Sequence, residues 1–206
     1  MTTVLDWTAR TDGRLYNDRP NGAASIAGII LHHTGSTSED GDYNWLSRES
    51  ALDSLRRFGD LRAGVSTTQL VKRNGTIIQV VSNEKRAWHA GLSLWRGKED
   101  ANDWSLGIEI CNSGHAEIYT ETQKKAVAET VAYNCARYRI HDDMVVSHKA
   151  IRAAWLRAHP GTADEKYDPF AWNWADMWHR VDRIRADWPF RDVPMWCCMG
   201  EGRYTD

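Results

Sequence analysis

The chain has 206 residues, 26% of them charged, with a formal net charge of −2. That length fits one domain with a substantial core, and the near-neutral balance gives no electrostatic basis for binding nucleic acid. No apolar run reaches the length of a membrane span, and the first residues, MTTVLDWTARTDGRLYNDRP, lack the apolar segment of a secretory signal. The expectation is a monomer without membrane insertion, synthesised in the cytoplasm. Cys111, Cys135, Cys197 and Cys198 form no CxxC pair and read as reduced thiols.

Residues 26–31, IAGIIL, read as a buried strand running into His32 and His33. Side chains alternate along a strand. His32 therefore shares a face with Gly28 and Ile30, and His33 shares the other with Ala27, Ile29 and Leu31. At most one of the two imidazoles can join a given site, and alternation does not say which. Residues 44–58 read as a helix, with Trp45, Leu52, Leu55 and Phe58 near helical spacing. TTQLVKRNGTIIQVV reads as two strands around an Asn74-Gly75 turn. SLGIEIC, 105–111, is a further strand. Thr120 and Gln123 fit a capping box, opening a helix whose apolar face is Ala126, Val127, Val131 and Cys135. MVVS, 144–147, reads as a short strand. Asp168 and Pro169 read as the N-cap and first residue of the last helix, which carries Phe170, Trp174, Met177, Trp178, Val181 and Ile184 inward. This order predicts an α/β fold, a mixed central sheet flanked by helices. Residues 1–187 form its single domain and 188–206 a tail.

Histidines end two apolar strands, at His32-His33 and at His148 in VVSHK. Lys166 and Asp168 alternate in EKYDPF. Glu109 faces away from Leu106, Ile108 and Ile110, with Gly107 beside it leaving room. A carboxylate in mid-strand is costly unless it is paired or used. Two neutral imidazoles and one carboxylate make a hydrolytic zinc site with an open position for water. A nearby glutamate can move the proton, and a lysine can stabilise the oxyanion. His89, in AWHAG, lines a groove or hydrogen-bonds behind it. Asn102 fixes a turn or contacts substrate. Trp88 and Trp95, two of eleven tryptophans, are candidate glycan or peptide contacts.

IILHHTGS, VKRNGTIIQVV, RAWHAG, NDWSLGIEICN and VVSHK…KYDPF, in this order across residues 25–187, resemble the zinc-dependent N-acetylmuramoyl-L-alanine amidases. This type 2 amidase family includes phage endolysins and the peptidoglycan recognition proteins. The resemblance implies that fold, one Zn2+ per chain held by His32, His148 and Asp168, and catalysis by Glu109 and Lys166. The partner it implies is bacterial peptidoglycan, cut between N-acetylmuramic acid and L-alanine. Thr68 stands where the family commonly has histidine, and Thr67 where some relatives have a helper tyrosine, which shifts the burden to Glu109. The link from second to third ligand is longer than usual and contains His159, a rival ligand. Without a signal peptide or separate wall-binding domain, the resemblance implies a phage endolysin that reaches the wall through a holin. The alternatives are a cytosolic recycling amidase and a non-catalytic peptidoglycan binder. A glycosidase is unsupported, because Glu109 has no carboxylate partner apart from Asp168.

Overall fold

The computed structural model describes the backbone of residues 4–6 and residues 15–59, 61, 63–114, 119–161, 164–187 and 203–204. Cys197, Cys198 and most of the tail lie outside the described residues. Among the described residues, ten strands follow in chain order: β1 (Val4–Asp6), β2 (Tyr16–Asp18), β3 (Gly28–His33), β4 (Gln69–Val71), β5 (Ile77–Gln79), β6 (Lys85–Ala87), β7 (Leu94–Trp95), β8 (Lys98–Glu99), β9 (Ser105–Ile110) and β10 (Val145–Ser147). The α-helices are α1 (Glu39–Asn44), α2 (Ser50–Phe58), α3 (Ala101–Trp104), α4 (Glu121–Tyr138), α5 (His148–Ala158) and α6 (Trp174–Ala186).

The main sheet has the order β1-β5-β4-β9-β3-β10. Among the described residues of this sheet only the β4–β5 pair is antiparallel, so the sheet is mixed, as the element order predicts. The β4–β5 connection is the expected hairpin: Gly75 takes φ +82°, and the Thr76 N–H donates to Asn74 Oδ1. Strands β2 and β6, and β7 and β8, form two small antiparallel pairs. β3 sits between β9 and β10, and Ile29, Ile30 and Leu31 are all buried. A continuous apolar run suits a strand covered on both faces.

Helices α4 and α6 pack together and join Ile29, Leu31 and Ile108 in one apolar cluster, through Val127, Val131, Met177 and Trp178. The α4 capping box forms as expected, with Thr120 Oγ1 accepting from the Gln123 N–H and Gln123 Oε1 from the Thr120 N–H. A second cluster gathers Leu46, Leu70, Ile78 and Cys111. Cys111 and Cys135 are both buried as reduced thiols. Among the described residues no helix is long and apolar enough to cross a membrane.

Three local expectations are corrected. The helix predicted over 44–58 starts at Glu39 and passes through a π-helical turn at Trp45–Glu49. Trp45 and Phe58 are consequently exposed, and the buried line is Ser47, Ser50, Ala51 and Ser54. Ser50 and Ser54 face the chain at 63–65: Ser50 Oγ donates to Val65 O, and Ser54 Oγ accepts from the Ala63 N–H. The strand before His148 ends at Ser147, which caps α5 by accepting from the Ala150 N–H, so His148 opens a helix. The last helix begins at Trp174 with Asn173 as its N-cap. Asp168 is not a cap, and Phe170 is exposed.

The described part of the tail, Arg203 and Tyr204, packs back on the body. Arg203 pairs with Asp142 and Asp182, and the Tyr204 hydroxyl lies 2.9 Å from Ser147 Oγ.

Gly28 tests the packing of β3. A Cβ there would lie 2.4 Å from the Trp104 ring and 3.0 Å from Met144 O. Gly28→Ala is expected to lower stability by about 1–3 kcal/mol through overpacking, read as a lower denaturant midpoint at unchanged slope.

Candidate active site

Register brings the candidate residues together. His32 on β3 lies opposite Glu109 on β9, and Leu31 lies opposite Ser147 on β10. Residues in register share a face of the sheet, so His32 and Glu109 point the same way. His148 follows Ser147 directly and arrives beside His32. Asp168 comes from the loop between α5 and α6, whose backbone is tied to α5 by the Lys149 N–H donating to Asp168 O at 3.1 Å.

Three atoms converge. His32 Nδ1 lies 3.1 Å from His148 Nδ1 and 2.9 Å from Asp168 Oδ2, and His148 Nδ1 lies 3.0 Å from the same oxygen. Both histidines are buried. The second nitrogen of each ring is engaged elsewhere: His148 Nε2 with Ala90 O at 3.1 Å, and His32 Nε2 with His89 Nδ1 at 3.0 Å. A carbonyl only accepts, so His148 Nε2 carries a proton directed at Ala90 O. Burial pulls the His32 pKa down to about 4, which leaves that ring neutral at pH 7. Burial alone would raise the Asp168 carboxyl, but its bonds to His148 and His32 hold it below the ordinary carboxylate range.

This donor set fits a metal ion. Two neutral imidazoles and an ionised carboxylate are a common zinc set, and bonds of about 2.0–2.1 Å in a tetrahedron would hold such donors roughly 3.3 Å apart. The observed separations are close to that. Among the described residues, His32, His148 and Asp168 are the group that could hold a metal ion. His33 points away from them, and its Nδ1 accepts from the Phe170 N–H at 3.0 Å. The rival His159 stacks on Trp155 at the end of α5, with ring centroids 3.8 Å apart, outside the cluster.

The cluster lies in a groove of about 590 Å³ lined also by Asp42, Trp45, Glu109, Lys166 and Tyr167. Glu109 Oε2 is buried and has no hydrogen-bond partner among the described residues. Burial first, then the charges of Asp168 and Asp42, push the Glu109 pKa well above its ordinary value. Lys166 is part-exposed, 3.5 Å from Asp164. Thr67 Oγ1 donates to Gly107 O, and Thr68 Oγ1 accepts from the Gly107 N–H, so both hydroxyls are spent on β9. Asp42 was not singled out from sequence. It is buried, Ser36 Oγ donates to its Oδ1, and it is the second carboxylate facing Glu109. Nothing in the acidic run Glu39-Asp40-Gly41-Asp42 distinguishes it. Trp45 and Tyr167, 44% and 64% exposed, are the accessible aromatic residues of this groove.

The expected substrate contacts divide differently. A second groove of about 620 Å³ shares His89, His148 and Lys166 with the first and is lined also by Trp88, Arg86 and Arg152. Trp95 is turned into the body, its indole N–H donating to Asp143 O and its ring edge-on to Tyr204. An indole needs a partner when half-buried, and this one has found it in the fold. His89 and Asn102 are buried and bonded within the protein: Asn102 Oδ1 accepts the N–H groups of His89 and Ala90.

Residues 22–170 match the family model described as N-acetylmuramoyl-L-alanine amidase. The 1,6-anhydro-N-acetylmuramyl-L-alanine amidase AmpD of Enterobacter cloacae is 34% identical over 99 residues, which are 48% of this chain and 52% of that protein. The chain thus spans about half the length of the curated relatives it matches. A crystal structure of a selenomethionine AmpD derivative superposes with a TM-score of 0.64 at 25% identity, covering 87% of this chain and 94% of that one. The Escherichia coli amidase AmiD, in complex with the substrate anhydro-N-acetylmuramic acid-L-Ala-D-γ-Glu-L-Lys, superposes at 0.58 and 27% identity, covering 76% and 57%.

Glu109 sets a pH dependence. A carboxyl with a raised folded pKa makes the folded state lose stability as pH rises above the ordinary glutamate value of 4.5. Glutamine has no proton to lose. Metal-free Glu109→Gln is therefore expected to unfold at a higher midpoint than the parent at pH 7, with the gap narrowing as pH falls toward 4.5.

Proposed function

The chain belongs to the N-acetylmuramoyl-L-alanine amidase family, and on that premise we propose that it hydrolyses the amide between N-acetylmuramic acid and L-alanine, with soluble anhydromuramyl peptides as its substrates. The observation that carries this reading is the convergence of His32, His148 and Asp168 beside the buried carboxyl of Glu109 in one groove. Residues 1–187 are the catalytic unit in this reading.

His32, His148 and Asp168 would hold Zn2+, which when bound polarises the scissile carbonyl and acidifies a water molecule. The chain's own residues supply the rest. Glu109 takes the proton of the attacking water and passes it to the departing amine of L-alanine. A carboxyl whose burial favours the protonated form suits a group that must hold a proton between those two transfers. Lys166 sets its ammonium toward the oxyanion that develops on the carbonyl oxygen. Asp168, kept ionised, brings negative charge that offsets the ion it helps to hold.

The names of the similar proteins favour the soluble substrate over the intact wall. AmpD is named for the 1,6-anhydro sugar, and AmiD is captured with an anhydromuramyl peptide. A recycling-type amidase therefore stands ahead of a phage endolysin as the reading of this chain. The site's completeness argues against a silent binder, since all three ligand candidates and the carboxyl are present.

The test uses zinc-loaded protein on an anhydromuramyl tripeptide and on intact peptidoglycan, counting new L-alanine amines. Faster release from the tripeptide is expected. A preference for the intact wall would return the endolysin reading, and wall binding without release would make the protein a binder. Glu109→Gln should lower kcat by about 10²–10⁴-fold with KM little changed, as loss of a general acid-base does.

A further inference from the structure

The link between His148 and Asp168 must leave the site and come back to it. Helix α5 carries the chain outward from His148 over 11 residues, and the return to Asp168 runs through residues 164–167 without regular structure. Such a stretch has no ladder of its own, so its place is set by the bonds it makes to the body. We infer that Arg152 is a positioning residue that clamps this return, and with it Lys166 and Asp168, against the start of α5. The inference rests on reading Asp168 as a metal ligand and Lys166 as the partner of the oxyanion.

Arg152 lies four residues after His148, so the two share a face of α5. Each reaches the same two stretches of chain. His148 lies 3.1 Å from Ala90 O and 3.0 Å from Asp168 Oδ2. One turn further on, Arg152 Nη1 donates to Leu92 O at 3.2 Å and Nε to Asp164 O at 2.7 Å. This face of α5 is thus tied to the 90–92 segment on one side and to the 164–168 return on the other, at two levels. The helix backbone adds a further tie. The Lys149 N–H is one of the first in α5 and has no intrahelical acceptor, and it donates to Asp168 O at 3.1 Å.

The side chain suits a clamp. Arg152 is only 6% exposed, and a buried guanidinium is costly unless its N–H groups are bonded. Its planar fork sends Nε and Nη1 to two separate carbonyls in a fixed geometry, which the single ammonium of a lysine does not reproduce. Arg152 Nη2 stands 3.8 Å from Asp164 Oδ2, and the same oxygen lies 3.5 Å from Lys166 Nζ. One carboxylate oxygen therefore faces both the clamp and the ammonium. All three side chains line the second groove, beside His148. The long link thereby gains a fixed return point four residues before Asp168, and Lys166 lies between the two.

The test reads hydrogen exchange by NMR in the metal-free protein, zinc affinity by competition with a chelator, and kinetics at saturating zinc. In the parent, the Arg152 Nε–H and the Lys149 N–H should both be protected from exchange. Arg152→Met keeps the stem and removes the donors. In it the Lys149 N–H should lose its protection, while the neighbouring Ala150 N–H, bonded to Ser147 Oγ, should keep its rate. Zinc affinity should fall about 10-fold, as loss of support behind a ligand costs. At saturating zinc, kcat should fall by up to about 10²-fold with KM little changed, because Lys166 is misplaced. Arg152→Lys keeps the charge without the fork and should restore neither the protection nor the affinity. A parent whose Arg152 Nε–H exchanges freely would overturn the inference, and that measurement decides it if the variants fail to fold. Parent-like Lys149 protection and zinc affinity in Arg152→Met, their recovery in Arg152→Lys, or loss of protection at Ala150 as well would also overturn it. A parent that binds no zinc would sink the ligand reading instead, and the exchange rates would still decide whether Arg152 holds the return.

Discussion

Two imidazole nitrogens and a carboxylate oxygen held 2.9–3.1 Å apart out of water need a proton or a cation among them. The fold holds them there regardless, and much of the architecture follows from that constraint. β3 must be central and covered on both faces to bring His32 out of water. β10 must stop at the pair of Ser147 with Leu31 so that His148 can turn onto α5 beside His32. The loop to α6 must return to the same point, and the bond from Lys149 N–H to Asp168 O ties it there.

Glu109 adds a second unfavourable burial next to the first. Its Oε2 lacks a partner, and both Asp168 and Asp42 face it with negative charge. Such a carboxyl weakens the metal-free fold at neutral pH, and it suits a proton carrier. The absence of a side chain at Gly107 serves the same site: His89 occupies that space, and the Gly107 backbone takes up the hydroxyls of Thr67 and Thr68. Thr67 and Thr68 thereby reinforce β9.

Much of this was legible in the sequence where a single physical pattern governs. Alternation separated His32 from His33, Asn74-Gly75 located the hairpin, and Thr120 with Gln123 located the start of α4. The pairing of His32 with His148 and Asp168 came from the order of motifs. Alternation alone could not have supplied it, because register between distant strands is a tertiary property. What escaped has physical reasons. The π turn at Trp45–Glu49 shifts helical register, so Trp45 and Phe58 pointed the wrong way. Asp168 looked like an N-cap because caps and metal ligands call for the same carboxylate oxygens. Trp95 was a candidate substrate contact, and His89 and Asn102 were open between substrate contact and a bonding role within the fold. Their polar groups are instead satisfied inside the fold by Asp143 O, His32 and the 89–90 backbone, partners between 12 and 57 residues away in the chain.

The central claim is that His32, His148 and Asp168 bind one zinc ion. X-ray absorption at the zinc edge on stoichiometrically loaded protein, beside the His32→Ala variant, tests it directly. The account predicts one tightly held zinc per chain with two imidazole nitrogens and oxygen in its shell, lost in the variant. A parent that retains no zinc, or a variant that retains it with the same shell, would contradict the account.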